Sequence, residues 1–153
     1  MNETVIKSDQ RREYGQILVR HRGRILLLKR RGREDWQLPG ALSRRVGEAP
    51  INAAARGLWD QTGLRLPLRD LLCVDHHPGR TFFVFDGGGI GPALADRAME
   101  SATEPYSEAD FVEPQVLSLH MSLGETRRIR EALLAADMKR GILTLCFGSP
   151  SHR

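Results

Sequence analysis

Trp36-Gln37-Leu38-Pro39-Gly40-Ala41 and, beyond Glu48, Pro50-Ile51-Asn52-Ala53-Ala54-Ala55-Arg56-Gly57-Leu58-Trp59-Asp60-Gln61-Thr62-Gly63-Leu64 decide the fold. Proline suits the first helical position because its missing N–H would be unpaired there anyway, and glycine suits the residue just past the end. Pro50 and Gly63 therefore bound a predicted helix. Ala49 before it offers no side-chain oxygen to the free N–H groups of the first turn. At helical spacing Ile51, Ala54, Ala55, Leu58 and Thr62 share one side, and Asn52, Arg56 and Asp60 share the other. The buried back is predicted on the first set. Arg56 and Asp60, four apart, are expected to pair across one turn. Gly57 sits mid-helix, where glycine costs about 1 kcal/mol relative to alanine; it is either tolerated there or makes room for a neighbour.

Outward from this helix the pattern alternates between strands and helices. Gly15 to Arg22 and Arg24 to Arg30 read as strands joined at Arg22-Gly23, and Trp36 to Leu38 as a short extended piece. Leu66 to Val74 and Thr81 to Phe85 are predicted strands, with His76-His77-Pro78-Gly79 turning between them. Asp86 to Pro92 reads as a loop, as does the acidic stretch Glu100 to Glu113, and Phe111 to His120 returns to strand character. Ser122 to Asp137 is a second amphipathic helix, with Ile129, Leu133 and Ala136 inward and Arg127, Arg128, Arg130 and Glu131 mostly outward. Gly141 to Phe147 is a candidate edge strand. Helices between runs of strands imply an α/β chain with a mixed sheet and helices on its faces. The expected division is an N-terminal extension 1–13, one domain 14–147 and a tail 148–153.

The spacing in the central stretch resembles the Nudix box, whose pattern runs glycine, five residues, glutamate, seven residues, then Arg-Glu-hydrophobic-any-Glu-Glu-any-Gly-hydrophobic after a strand reading Trp-x-Leu-Pro-Gly-Gly. Trp36, Leu38, Pro39, Gly40, Glu48, Arg56, Leu58, Gly63 and Leu64 fall on it. Leu42 stands at the box glycine, and Gly57, Asp60 and Gln61 replace the three glutamates of the helix. The resemblance extends over about residues 14–145 and implies an α/β/α sandwich. It also implies a metal-assisted hydrolase of a nucleoside diphosphate derivative or related organic diphosphate.

In that reading Glu48, Arg56, Asp60 and Gln61 are the catalytic candidates. Magnesium takes oxygen ligands, commonly one or two carboxylates plus substrate phosphates. Glu48 and Asp60 with a glutamate of the acidic stretch, Glu108 or else Glu104 or Glu113, are the candidate ligands for Mg²⁺ or Mn²⁺. The alternative is a Nudix-fold protein without diphosphatase activity and with no metal, which binds a ligand or runs metal-independent chemistry on a non-phosphate substrate.

Composition narrows the rest. The 153 residues suffice for one core, and of 23 basic residues 20 are Arg and three are Lys. Guanidinium groups suit bidentate phosphate recognition. Arg30, Arg31, Arg33, Arg44 and Arg45 flank the Pro39-Gly40 loop, which makes Arg31, Arg44 and Arg45, with the ring of Trp36, the substrate-binding candidates. A phosphorylated small molecule is the expected partner. Nucleic acid is not, since the charges are not interleaved with aromatics and no docking motif occurs. No apolar run approaches a membrane span and the first residues are polar, so a cytoplasmic setting is expected. Cys73 and Cys146 lack metal-ligand spacing and read as free thiols. Asp75-His76-His77 could serve a site, but neighbours on a strand point to opposite faces, so at most one histidine faces a pocket. A homodimer would form through a basic face or the C-terminal edge strand.

Overall fold

A computed structural model describes residues 11–44, 47–101, 106–139 and 141–150. Strands β1 (Arg12–His21) and β2 (Arg24–Arg30) meet at Arg22 and Gly23, both with positive φ (53° and 76°). This is the two-residue hairpin whose twist matches that of its strands. Ile17, Leu18 and Val19 of β1 and Ile25 to Leu28 of β2 are fully buried. Continuous apolar runs of this kind belong to strands covered on both faces.

The other strands are β3 (Trp36–Gln37), β4 (Gly40–Leu42), β5 (Leu71–His77), β6 (Arg80–Gly89), β7 (Tyr106–Val112), β8 (Leu143–Cys146) and β9 (Ser149–Pro150). They form one sheet ordered β3-β2-β1-β6-β5-β8-β9, with β4 paired to β1 and β7 to β2. The β1–β6 and β5–β8 ladders are parallel and the rest antiparallel, so the sheet is mixed as expected.

Helices α1 (Pro50–Thr62) and α2 (Pro92–Glu100) cover one face, where Ala54, Leu58, Ala95 and Ala98 pack on Ile17, Val19, Leu26, Leu28 and Phe111. Helix α3 (Leu123–Met138) and the 3₁₀ turn Pro114–Leu119 cover the other, with Ile129, Ala132 and Leu117 against Leu18, Ile25, Leu27 and Val84. Strand alternation thus divides the core into two layers of an α/β/α sandwich. Among the described residues no helix is long and apolar enough to cross a membrane.

Several elements differ from the sequence reading. Residues 66–70 are not strand; Pro67 has no N–H for a ladder, and β5 starts only at Leu71. His76 and His77 belong to β5, and the turn is Pro78-Gly79 alone. Part of the predicted acidic loop is β7, which pairs with β2 from Ile25 to Arg30. Pro114 ends strand character and opens the 3₁₀ turn where a strand to residue 120 is expected. Helix α2 was not anticipated. Cys73 and Cys146 are free thiols, and burial pushes that of Cys73 up to about 12.

Candidate functional site

Helix α1 begins at Pro50 behind an uncapped Ala49 and ends at Gly63, whose φ of 70° lets its N–H reach the Trp59 carbonyl. Its buried face is rotated from the predicted one: Ala53, Ala54, Gly57, Leu58, Gln61 and Thr62 face inward, while Ile51 and Ala55 are exposed. Gly57 and Gln61 are the cause. A Cβ on Gly57 would fall on the carbonyl of Gly40, and a Cβ on Gly40 would fall on that of Gly15. Helix, β4 and β1 therefore stack through three glycines at backbone distance. Gln61, 7% exposed, completes the contact by accepting from the Gly40 N–H (3.1 Å) and donating to the Gly40 carbonyl (2.7 Å).

Glu48 and Arg56 are brought together. Arg56 donates Nε to Oε2 (3.1 Å) and Nη2 to Oε1 (3.0 Å) of Glu48, and Nη2 also reaches the Leu42 carbonyl (2.9 Å). The Arg44 N–H donates to Glu48 Oε1 at 2.7 Å. Asp60 stands exposed one turn further along α1. The Arg56 fork, with the Arg44 N–H, lowers the Glu48 carboxyl from 4.5 to about 2. A depressed carboxyl stabilises the fold above its unfolded value and loses that contribution as pH falls through the folded one. We therefore expect stability to decline between pH 4.5 and about 2, and Glu48→Gln to flatten that part of the profile. Urea midpoints of both proteins across this range test it.

Of the other predicted residues Arg44 meets Glu48 through its backbone N–H, and Glu108 and Trp36 lie elsewhere. Glu108 faces Lys29 at 3.7 Å on an exposed part of β7. Its neighbour Ala109 lies in the α1-side core, so alternation points Glu108 to the opposite face of the sheet. Trp36 packs against the α3-side core and lies edge-on to His120, 6.0 Å between centroids. Arg31 and Arg44 are exposed. Arg45 and Glu104 lie outside the described residues, and Glu113 pairs with Arg24 at 3.3 Å.

Among the described residues the box positions offer few uncommitted oxygens to a divalent cation of the kind the box implies. Both Glu48 oxygens are engaged, the Gln61 amide is spent on Gly40, and the Gly57 position admits no side chain. Among the described residues no three of His, Cys, Asp and Glu are close enough to hold a metal.

A different constellation occupies the opposite face of the sheet, and it includes Asp75 and His77 of the Asp75-His76-His77 run. A cleft of about 600 Å³ opens over β1 and β6, between the N-terminus of α3 and the turn after β2. Tyr14 and Phe82, cross-strand neighbours on the parallel ladder, stack on its floor with centroids 4.9 Å apart. Arg128 reaches down from α3 with its guanidinium carbon 3.7 Å from the Phe82 centroid. It donates Nε to Asp75 Oδ2 (2.7 Å) and Nη1 to Gln16 Oε1 (3.3 Å). Expected on the outer face of its helix, Arg128 is instead 2% exposed, because Asp75, itself 0% exposed, requires a buried cation.

Asp75 Oδ1 accepts from the Gly148 N–H at 2.8 Å, and Oδ2 lies 3.1 Å from His77 Nε2. Burial alone would raise the Asp75 carboxyl; the bonds from Arg128, Gly148 and His77 outweigh it and hold the group below its ordinary value. Of the two histidines only His77 lines the cleft, as alternation requires, and His76 is exposed. Arg30, Arg33 and Arg80 also line the cleft, against the acids Asp35 and Glu125. Ser122 caps α3 there, accepting from the Glu125 N–H at 3.2 Å.

No family model matches the chain. An RNA pyrophosphohydrolase of Psychrobacter cryohalolentis is 42% identical over 65 residues, 42% of this chain and 36% of that protein. The chain thus spans little more than a third of the length of the curated relatives it matches. A MutT protein of Methanosarcina mazei Go1 superposes with TM-score 0.63 at 19% identity, covering 84% of this chain and 94% of that one. A Nudix hydrolase of Nitrosomonas europaea does so with TM-score 0.63 at 17% identity, covering 89% and 80%. At these identities the likeness is one of fold: the chain has the α/β fold of these MutT and Nudix hydrolase structures.

Proposed function

We propose that this protein binds a small phosphorylated ligand in the cleft over Tyr14 and Phe82, without a metal at the box helix. The observation that carries this reading is the contact of Gly57 and Gln61 with Gly40: the positions where the family pattern has glutamates now hold the helix to β4. Three arginines not engaged in the buried network, Arg30, Arg33 and Arg80, supply positive charge, and the N-terminal end of the α3 dipole adds to it.

Metal-assisted hydrolysis of a nucleoside diphosphate derivative, through Glu48, Arg56 and Asp60, is the second reading. The match to an RNA pyrophosphohydrolase over 65 residues favours it. One experiment separates the two. Calorimetric titration with ADP, with pyrophosphate and with adenosine is run in EDTA and again in Mn²⁺, beside a hydrolysis assay on the same phosphates. We expect ADP to bind equally in both media, with no turnover, and Arg80→Ala to weaken it about tenfold, the 1.5 kcal/mol of one charge-assisted contact. Mn²⁺-dependent turnover that Asp60→Asn abolishes would establish the second reading.

A further inference from the structure

Histidine 77 is placed by two kinds of contact that leave one ring nitrogen open. Its ring packs edge-on to Phe82 (5.3 Å) and against Phe147 (4.9 Å), which fixes the plane. Its Nε2 lies 3.1 Å from Asp75 Oδ2. An ionised carboxylate only accepts and a guanidinium only donates, so the Asp75 contact and the 3.3 Å contact from Arg128 Nη2 call for opposite tautomers; the shorter one, to Asp75, assigns the proton to Nε2. Among the described residues no group bonds Nδ1, and Nδ1 is not among the buried polar atoms left without partners. Nδ1 therefore keeps access to solvent, in a side chain that lines the cleft.

We infer that His77 recognises the terminal phosphate of the ligand: buried Asp75 holds Nε2–H, and the open Nδ1 takes up a proton on binding to donate to a phosphomonoester oxygen. The charged groups around the ring are compatible with that proton. Asp75 on its own strand and Arg128 from α3 neutralise each other at 2.7 Å, so the imidazole meets no net charge from the pair beneath it. From the other elements Arg80 of β6 and Glu125 of α3 share the cleft, with opposite signs. An incoming phosphate dianion then decides the balance, because it favours the charged form of a neighbouring imidazole. Adenosine, which offers no phosphate, draws no proton into the site.

This inference rests on the cleft being the ligand site, and the test separates the two claims. AMP is titrated into the protein at about pH 8, where a phosphomonoester with second pKa about 6 is already dianionic. Buffers of two different ionisation enthalpies then report the protons taken up by the protein. Uptake approaching one proton per AMP, absent in His77→Gln, is the expected result, with AMP affinity falling about tenfold in that variant and adenosine affinity unchanged. Because glutamine can hydrogen-bond but not carry the charge, a merely structural role for His77 would leave the proton count in place. AMP binding with no proton uptake by the wild-type protein overturns the assignment while the cleft stands, a result independent of whether any variant folds. Absence of AMP binding to the wild-type chain overturns the cleft reading and the inference together.

Discussion

Gly57→Ala is expected to destabilise the protein, although the same substitution within an exposed helix gains about 1 kcal/mol. The reversed sign follows from the geometry, because the new Cβ meets the Gly40 backbone rather than solvent or a flexible side chain. Gly40 cannot retreat, since it is itself seated on the Gly15 carbonyl of β1. Overpacking of a tight contact costs about 1–3 kcal/mol, occasionally more, and a backbone-to-backbone collision belongs at the upper end. For a domain of this size about 3 kcal/mol corresponds to a fall in Tm of roughly 6–12 °C. Gly57→Glu, which would place the carboxylate of the Nudix pattern there, is expected to fall at least as far and to gain no Mn²⁺ affinity.

Gln61→Glu tests the same contact from the other side. It removes the donor to the Gly40 carbonyl and sets a buried carboxylate against that oxygen, a loss of about 3 kcal/mol at neutral pH. Burial holds such a carboxyl above its unfolded value, so the loss shrinks as pH falls and the acid becomes a donor again. Thermal melts of the three variants suffice. A Gly57→Ala protein that melts higher than the parent removes the basis for reading the box as a structural joint.

What could be read from the chain depended on how far apart the deciding partners lie. The hairpin at Arg22-Gly23 and the bounds of α1 at Pro50 and Gly63 are local punctuation, and both hold. The meaning of Gly57 and Gln61 depends on Gly40, 21 residues from Gln61, so the helix could be drawn but its buried face came out rotated. Helix α2 buries only two small residues, Ala95 and Ala98, too faint a stripe for periodicity to register. Arg128 carries the same lesson over a longer range: on its own helix it reads as one more surface arginine, and its partner Asp75 is 53 residues away. One signal was present, an aspartate, Asp75, directly after the apolar run Leu71-Leu72-Cys73-Val74. A charge buried in a core requires an opposite charge, and the arginine-rich final helix supplies it through Arg128.

Arg128→Met is accordingly expected to have the larger effect of the two. Methionine preserves much of the stem that lies over Phe82 but leaves Asp75, at 0% exposure, without its cation. Breaking one side of a buried pair costs about 3–5 kcal/mol, because the remaining charge has neither water nor partner. At 2–4 °C per kcal/mol that is a fall in Tm of roughly 6–20 °C. The pH dependence changes sign with it. In the parent the Asp75 carboxyl is held below its ordinary value, so its contribution is present above the unfolded value of about 3.9 and lost as pH falls through the folded one. In Arg128→Met burial is no longer outweighed by the arginine, the carboxyl rises, and the variant is least disadvantaged at low pH. Adding Asp75→Asn should return most of the lost stability, since an amide can still accept from the Gly148 N–H without carrying a charge into the core. Recovery in the double variant identifies the uncompensated carboxylate as the source of the loss. A double variant no more stable than Arg128→Met would place the loss instead in the guanidinium's packing on Phe82 and its bond to Gln16, and the cleft floor would then be an aromatic joint rather than an ionic one.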